Sequence, residues 1–285
     1  MCRLFGMSAG RPRARATFWL LQAPDSLVEQ SKREPDGAGL GWFDERGSPQ
    51  LYKRPIAAYE DASFAREAQT VDSRTFVAHV RFASGSALTL ENTHPFEQEG
   101  RLFAHNGVIE QLPELEARVG EGMRLVKGQS DSERYFALIT REIGAHGGDV
   151  SAGLSAAARW IAEQLPVFAI NCVLTTPDGM WALRYPETHE LYLLERDDGA
   201  TLRHDSSYGS RVHSEHGQDH RLVVVASERM DEDPDWRLLS SGELVHVDPD
   251  LHVRSERILD APPAHLLTLE ELGAQARASQ RTKRS

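Results

Sequence analysis

The opening of the chain constrains it most: Met1-Cys2-Arg3-Leu4-Phe5-Gly6-Met7-Ser8-Ala9-Gly10 sets a thiol at the second position, directly ahead of an apolar run. Leu4, Phe5 and Met7 suit a buried strand, which the polar Arg11-Pro12-Arg13 then ends. Terminal residues ordinarily fray, so a buried strand that starts at once needs a reason. Loss of Met1 would supply one, because Cys2 would then carry a thiol and a free α-amine, titrating near ~8.5 and ~7.7 to 8.0 respectively. At neutral pH such a residue holds a nucleophile beside its own general base, directly or through one water. Position alone does not separate that reading from an incidental cysteine at a chain end.

Acidic residues outnumber basic ones, 43 to 32, for a net charge of −11. That balance gives no footprint for nucleic acid or for an anionic membrane, so small molecules or proteins are the expected partners. No run approaches ~18 consecutive apolar residues and the start lacks a secretory plan, so a soluble, cytoplasmic protein is expected. Cys172 lies in an apolar run and reads as a buried, inert thiol, and two cysteines cannot build a disulfide framework. No cofactor is expected. Glu34 to Phe43 is glycine-rich, but its spacing lacks the dinucleotide pattern and a strand follows where a phosphate loop would open a helix. Close backbone packing is the better reason for those glycines. No metal is expected either: His204, His213, His216 and His220 lack the compact spacing of a structural zinc site and read as an exposed loop.

Along the chain, a short helix is expected from Pro24, and a second over Asp61 to Gln69 with Asp61 as its cap. Thr75 to Phe82 alternates like a strand with Arg81 near its end, either a solvated edge charge or a functional cation. A strand from Arg101 to Ala104 runs into His105-Asn106-Gly107, where Asn-Gly marks a tight turn. Helical spacing covers Leu112 to Val119, Asp131 to Ile143 and Ser151 to Leu165. Asp131 could be an N-cap, and Ser130 with Glu133 could form a capping box. Strands follow at Phe168 to Thr176, Met180 to Arg184, Leu191 to Glu195, Leu222 to Ala226 and Glu243 to Val247. Strands, then helices, then strands argue an α+β layered fold. One domain over residues 2–270 is expected, with a polar, disordered tail at 271–285.

Five motifs in order carry a resemblance. Met1-Cys2-Arg3-Leu4-Phe5-Gly6, Ala78-His79-Val80-Arg81-Phe82-Ala83-Ser84, Glu91-Asn92-Thr93-His94-Pro95-Phe96, Ala104-His105-Asn106-Gly107 and Ser130-Asp131-Ser132-Glu133 together resemble the class II glutamine amidotransferases, small stand-alone type. The resemblance implies a four-layer αββα N-terminal-nucleophile sandwich. It implies Cys2 as nucleophile, Asn106 and Gly107 as oxyanion hole, Arg81 as clamp for the substrate carboxylate with help from Ser84, and Asp131 as partner of its ammonium group.

Such a set suits an α-amino acid, whose zwitterionic end needs a fork of donors and an anion. The activity expected is amide hydrolysis of glutamine or a γ-glutamyl amide through a Cys2 thioester, similar to the γ-glutamyl amidohydrolase of ergothioneine biosynthesis. No acceptor domain is evident, so ammonia would pass to a separate synthetase subunit or be released. The alternative is a catalytically silent binding or regulatory protein on the same fold.

Overall fold

The computed structural model describes residues 2–82, 87–196, 203–205, 211–213 and 221–280. In chain order the first strands are β1 (Arg3–Ser8), β2 (Gly37–Phe43), β3 (Pro49–Arg54), β4 (Thr75–Arg81), β5 (Phe96–Gln98), β6 (Arg101–Ile109), β7 (Pro166–Thr176) and β8 (Gly179–Arg184). Then come β9 (Tyr192–Arg196), β10 (Arg203–Asp205), β11 (Arg211–His213), β12 (Leu222–Ala226), β13 (Arg237–Leu238), β14 (Glu243–Val247), β15 (Val253–Arg257) and β16 (His265–Leu266). The α-helices are α1 (Leu27–Ser31), α2 (Ala62–Thr70), α3 (Leu112–Val119), α4 (Asp131–Ala145), α5 (Val150–Gln164) and α6 (Ala274–Gln280).

Two antiparallel sheets form the centre, one ordered β13-β9-β12-β1-β4-β2-β3 and the other β15-β14-β8-β7-β6-β5, with β16 added in parallel to β7. Between them Leu4, Val77, Val223 and Val225 of the first sheet meet Leu102, Ala104, Val173 and Val245 of the second. The outer face of the first sheet packs Phe5, Met7 and Phe76 on Leu27 of α1 and Phe64 of α2. The outer face of the second packs Phe103, Ile170 and Leu174 on Tyr135 and Ile139 of α4 and Leu154 and Ile161 of α5. Four layers result, the αββα sandwich expected from the resemblance.

This layering explains the irregular look of the first strand. All six residues of β1 are buried because both its faces are covered, so no polar alternation survives in the sequence. Leu4 faces the other sheet and Phe5 and Met7 face the helices. At Gly6 a Cβ would lie 2.8 Å from Val173 Cγ1 and 2.9 Å from Met180 Sδ, so the sheets meet there at the closest spacing a side chain forbids.

Five local expectations change. The helix expected from Pro24 starts at Leu27, with Ser26 accepting the Glu29 N–H. Ser130, not Asp131, caps α4 by accepting the Glu133 N–H at 3.2 Å. Glu133 does not return the bond; its carboxylate accepts from the N–H groups of Lys127 and Gly128 at 2.9 and 2.6 Å, so the capping box is half made. Part of the expected disordered tail is the helix α6, held down by Leu272, which is buried. Of the histidine-rich stretch, His204 and His213 lie on the paired strands β10 and β11, while His216 and His220 fall outside the described residues.

The fifth change bears on the site. Asn106-Gly107 is not a turn: β6 runs straight through it, with Asn106 opposite Asn171 and Gly107 opposite Ile170. Glycine is required there for proximity, since a Cβ at Gly107 would sit 1.8 Å from the carbonyl oxygen of Ala169.

Candidate active site

Strand parity collects the candidate residues. On β6, Leu102 and Ala104 point into the gap between the sheets, so Asn106 does too, while His105 turns toward α4. On β4, Val77 points into the gap, and with it His79 and Arg81. On β1, Leu4 points into the gap, and Cys2 lies two residues before it. Three strands from two sheets thereby aim Cys2, Arg81 and Asn106 into one end of the sandwich.

The Cys2 thiol lies against the backbone that follows Arg81. Its Sγ donates to the Phe82 carbonyl at 3.5 Å and accepts the Phe82 N–H at 3.4 Å. Burial pushes this thiol up; the Glu34 carboxylate adds to the rise, and the Phe82 contact and Arg81 oppose it. Arg3 fixes the residue from behind, donating to the Cys2 carbonyl at 3.3 Å while pairing with Glu228 at 2.5 Å and Glu34 at 3.7 Å.

Arg81 is buried, and its guanidinium donates to the Ala87 carbonyl at 3.3 Å. Burial lowers its basicity, which a thiolate at Cys2 and the carboxylates of Asp36 and Asp131 oppose. The guanidinium is therefore within electrostatic reach of both the thiol and the Asp131 carboxylate. Asp131 opens α4, with Oδ2 accepting the Ile109 N–H at 2.9 Å and Oδ1 the Ser132 N–H at 2.8 Å. These bonds tie it to the end of the strand that carries Asn106. Ser84 lies outside the described residues.

Asn106 is fully buried, yet neither its Oδ1 nor its Nδ2 has a hydrogen-bond partner among the described residues. Its cross-strand neighbour Asn171 is fully used, accepting the Tyr185 N–H and donating to the His189 and Glu190 carbonyls. A buried amide left unpaired costs about 1–3 kcal/mol, so Asn106 is held for something other than stability. Paired with the Gly107 N–H, it can donate to a carbonyl oxygen that gains charge beside Cys2.

The sequence motifs also bring together three histidines for which the reading of the sequence had no role. His79 and His94 stack with ring centroids 4.1 Å apart. His105 Nε2 donates to the Ala169 carbonyl at 3.1 Å, leaving Nδ1 to accept from Ser132 Oγ at 2.9 Å, the neutral tautomer. Burial depresses all three, His79 to about 3, with Arg81 and His105 adding to the effect on His79.

An unfolded histidine titrates near ~6.5, so below that pH the unfolded chain binds protons that the folded one refuses, and stability falls as pH drops. Melting temperature should decline from about pH 6.5 downward, and replacing His94 by Phe should flatten that decline. Equal slopes for the two proteins in thermal melts would show that these rings titrate freely.

Among the described residues, one His and acidic group could share a metal ion: Asp248, Asp250 and His252. It lies on the turn that meets Gly10, at the end of β1 opposite Cys2, and Arg11 already pairs with Asp250 at 2.7 Å. Among the described residues, no helix is long and apolar enough to cross a membrane.

Comparison with known proteins gives the family and the fold. A family model for class II glutamine amidotransferases matches residues 1–257. A γ-glutamyl-hercynylcysteine sulfoxide hydrolase of Mycolicibacterium smegmatis is 28% identical over 263 residues, 89% of this chain and 98% of that protein. The Escherichia coli protein YafJ is 26% identical over 85% of this chain and 96% of its own length. Among solved structures, a glutamine aminotransferase class-II domain protein from Silicibacter pomeroyi superposes with a TM-score of 0.60 at 18% identity, covering 91% of this chain and all of that one.

Proposed function

The chain belongs to the class II glutamine amidotransferases, and from that premise we propose that it is an amidohydrolase opening glutamine or a γ-glutamyl amide through a thioester on Cys2. The observation that carries this reading is the buried side-chain amide of Asn106, unpartnered among the described residues, in the same gap as the Cys2 thiol.

With Met1 removed, the α-amine of Cys2 takes the thiol proton, and Sγ attacks the γ-carbonyl carbon. The oxygen becomes an oxyanion facing the Asn106 amide and the Gly107 N–H. As the C–N bond breaks, the α-amine returns its proton to the departing ammonia or amine. Water then adds to the thioester, giving glutamate and the free thiol. Arg81, with Ser84, holds the substrate carboxylate, and Asp131 its ammonium group, which orients the amide toward sulfur.

The resemblance to the M. smegmatis hydrolase supports a γ-glutamyl compound as substrate, and a cytoplasmic location suits a small-molecule hydrolase. Whether a separate synthetase subunit takes the ammonia is answered by the same experiment: a panel of γ-glutamyl amides, glutamine included, ranked by kcat/KM. A high kcat/KM for a larger amide supports plain hydrolysis. Glutamine as the best substrate points to ammonia transfer, and no turnover of any member ends the reading.

Arg81→Lys tests the clamp. An ammonium cannot reproduce the planar fork, so KM for glutamine should rise roughly tenfold or more with a smaller change in kcat. An unchanged KM would remove Arg81 from the carboxylate site.

A further inference from the structure

The chain beyond residue 257, where the family match ends, has no part in the chemistry above. It is nevertheless bound tightly to the sandwich. Ala264 donates its N–H to the Ala162 carbonyl at 2.8 Å, β16 pairs His265 with Pro166 and Leu266 with Val167, and Leu267 donates to the Val167 carbonyl at 2.9 Å. Leu267 and Leu272 are then buried with Val108, Phe168 and Ala169. Val108 follows Gly107, and Ala169 supplies the carbonyl that forbids a side chain at Gly107. The segment thus braces the strand pair that carries the oxyanion donors.

Past Leu272 the chain turns into α6, with the Arg277 guanidinium donating to the carbonyls of Glu270 and Leu272. This turn brings Gly273–Ala276 opposite Val108–Leu112 and Gln129–Asp131 across a cavity of about 660 Å³. That volume lies within the ~300–1,000 Å³ of pockets that enclose small molecules. Asp131 lines the cavity, whereas Cys2, Arg81, Asn106 and Gly107 do not, so it adjoins the ammonium group of the substrate and neither its carboxylate nor the bond being cut. Its polar wall holds two carboxylates, Glu110 and Asp131, and two amides, Gln111 and Gln129, a set that favours a cationic group. Gln111 is a non-glycine residue at φ +57°, a conformation that persists where surroundings impose it and that clusters at ligand sites.

We infer that Gly273–Ala276, anchored by Leu267 and Leu272, forms the outer wall of the pocket for the ammonium group of the substrate, setting how tightly every γ-glutamyl compound is held whatever its leaving group. The inference rests on the reading of Asp131 as the ammonium anchor. By narrowing access of water to that carboxylate, the wall strengthens its attraction for the ammonium group.

Two substitutions test it, with glutamine and γ-glutamyl-p-nitroanilide as substrates. Leu272→Asp detaches the segment by placing a charge in its buried anchor, and Gln275→Trp fills the cavity from an exposed position. Each should raise KM for both substrates by the same factor, about tenfold, and keep the ratio of their kcat/KM values within about twofold of wild type. Unchanged KM values, or a change confined to one substrate, would overturn the inference while leaving the functional reading intact. Wild-type protein that turns over neither substrate overturns both. If Leu272→Asp shows no cooperative thermal melt, Gln275→Trp decides by the same criterion.

Discussion

Replacing Cys2 by alanine should abolish release of ammonia or amine from glutamine and γ-glutamyl amides, a fall of at least about 10⁴-fold in kcat, with the protein still folded. Size follows from the division of labour. In the proposed mechanism the clamp and the oxyanion donors bind and polarise the amide, but the Cys2 sulfur supplies the electron pair that opens it; Cys172 is buried beside Tyr135 with its thiol pushed up to about 12. Folding should survive, because β1 is held by its ladders to β4 and β12 from Arg3 onward, not by the thiol. A coupled ammonia assay, with acid-quenched mass spectrometry to find the γ-glutamyl adduct on the wild-type N-terminal peptide, gives both readouts. Cys2→Ala protein that still hydrolyses these amides would show that the thioester route is wrong.

Asn106→Leu is the second large effect, and its two readouts should move in opposite directions. Loss of one oxyanion donor lowers the rate by ~10² to 10³, roughly 2.7 to 4 kcal/mol in the barrier. Stability should hold or rise, because leucine of similar size removes an amide that is buried without a partner among the described residues. Kinetics with glutamine and a thermal melt of the same preparation separate the cases. Parallel loss of activity and stability would mean that Asn106 is an ordinary structural residue.

Residues with a chemical reason at each position were readable from the chain before any fold was known. Cys2, Arg81, Asn106, Gly107 and Asp131 are legible as candidates through the motifs that carry the resemblance, and the strands at Leu222–Ala226 and Glu243–Val247 keep their expected bounds, the first as an unbroken apolar run and the second as a β-rich stretch with Leu244, Val245 and Val247 buried. What misled was local chemistry with two uses. Asn-Gly suggests a turn because both residues tolerate positive φ, yet here the glycine serves a close approach to Ala169 and the asparagine faces the gap. His79 and His94 were visible as letters, but their stacking depends on which strands become neighbours. Glu110 and Gln111 carried no signal, since a half-buried acid and an exposed amide ahead of a helix look like any other.

The sequence by itself determined the layered fold and named the candidate reactive groups, because the order of elements and of motifs along the chain is a property of covalent order. Tertiary structure decided which of those groups face one another. Parity on β1, β4 and β6 turns Cys2, Arg81 and Asn106 into the same gap, and only the return of residues 264–276 across β7 closes a cavity beside Asp131. Both depend on contacts between residues far apart in the chain, whose pairing is chosen by the burial of whole sheets and leaves no mark on the local sequence.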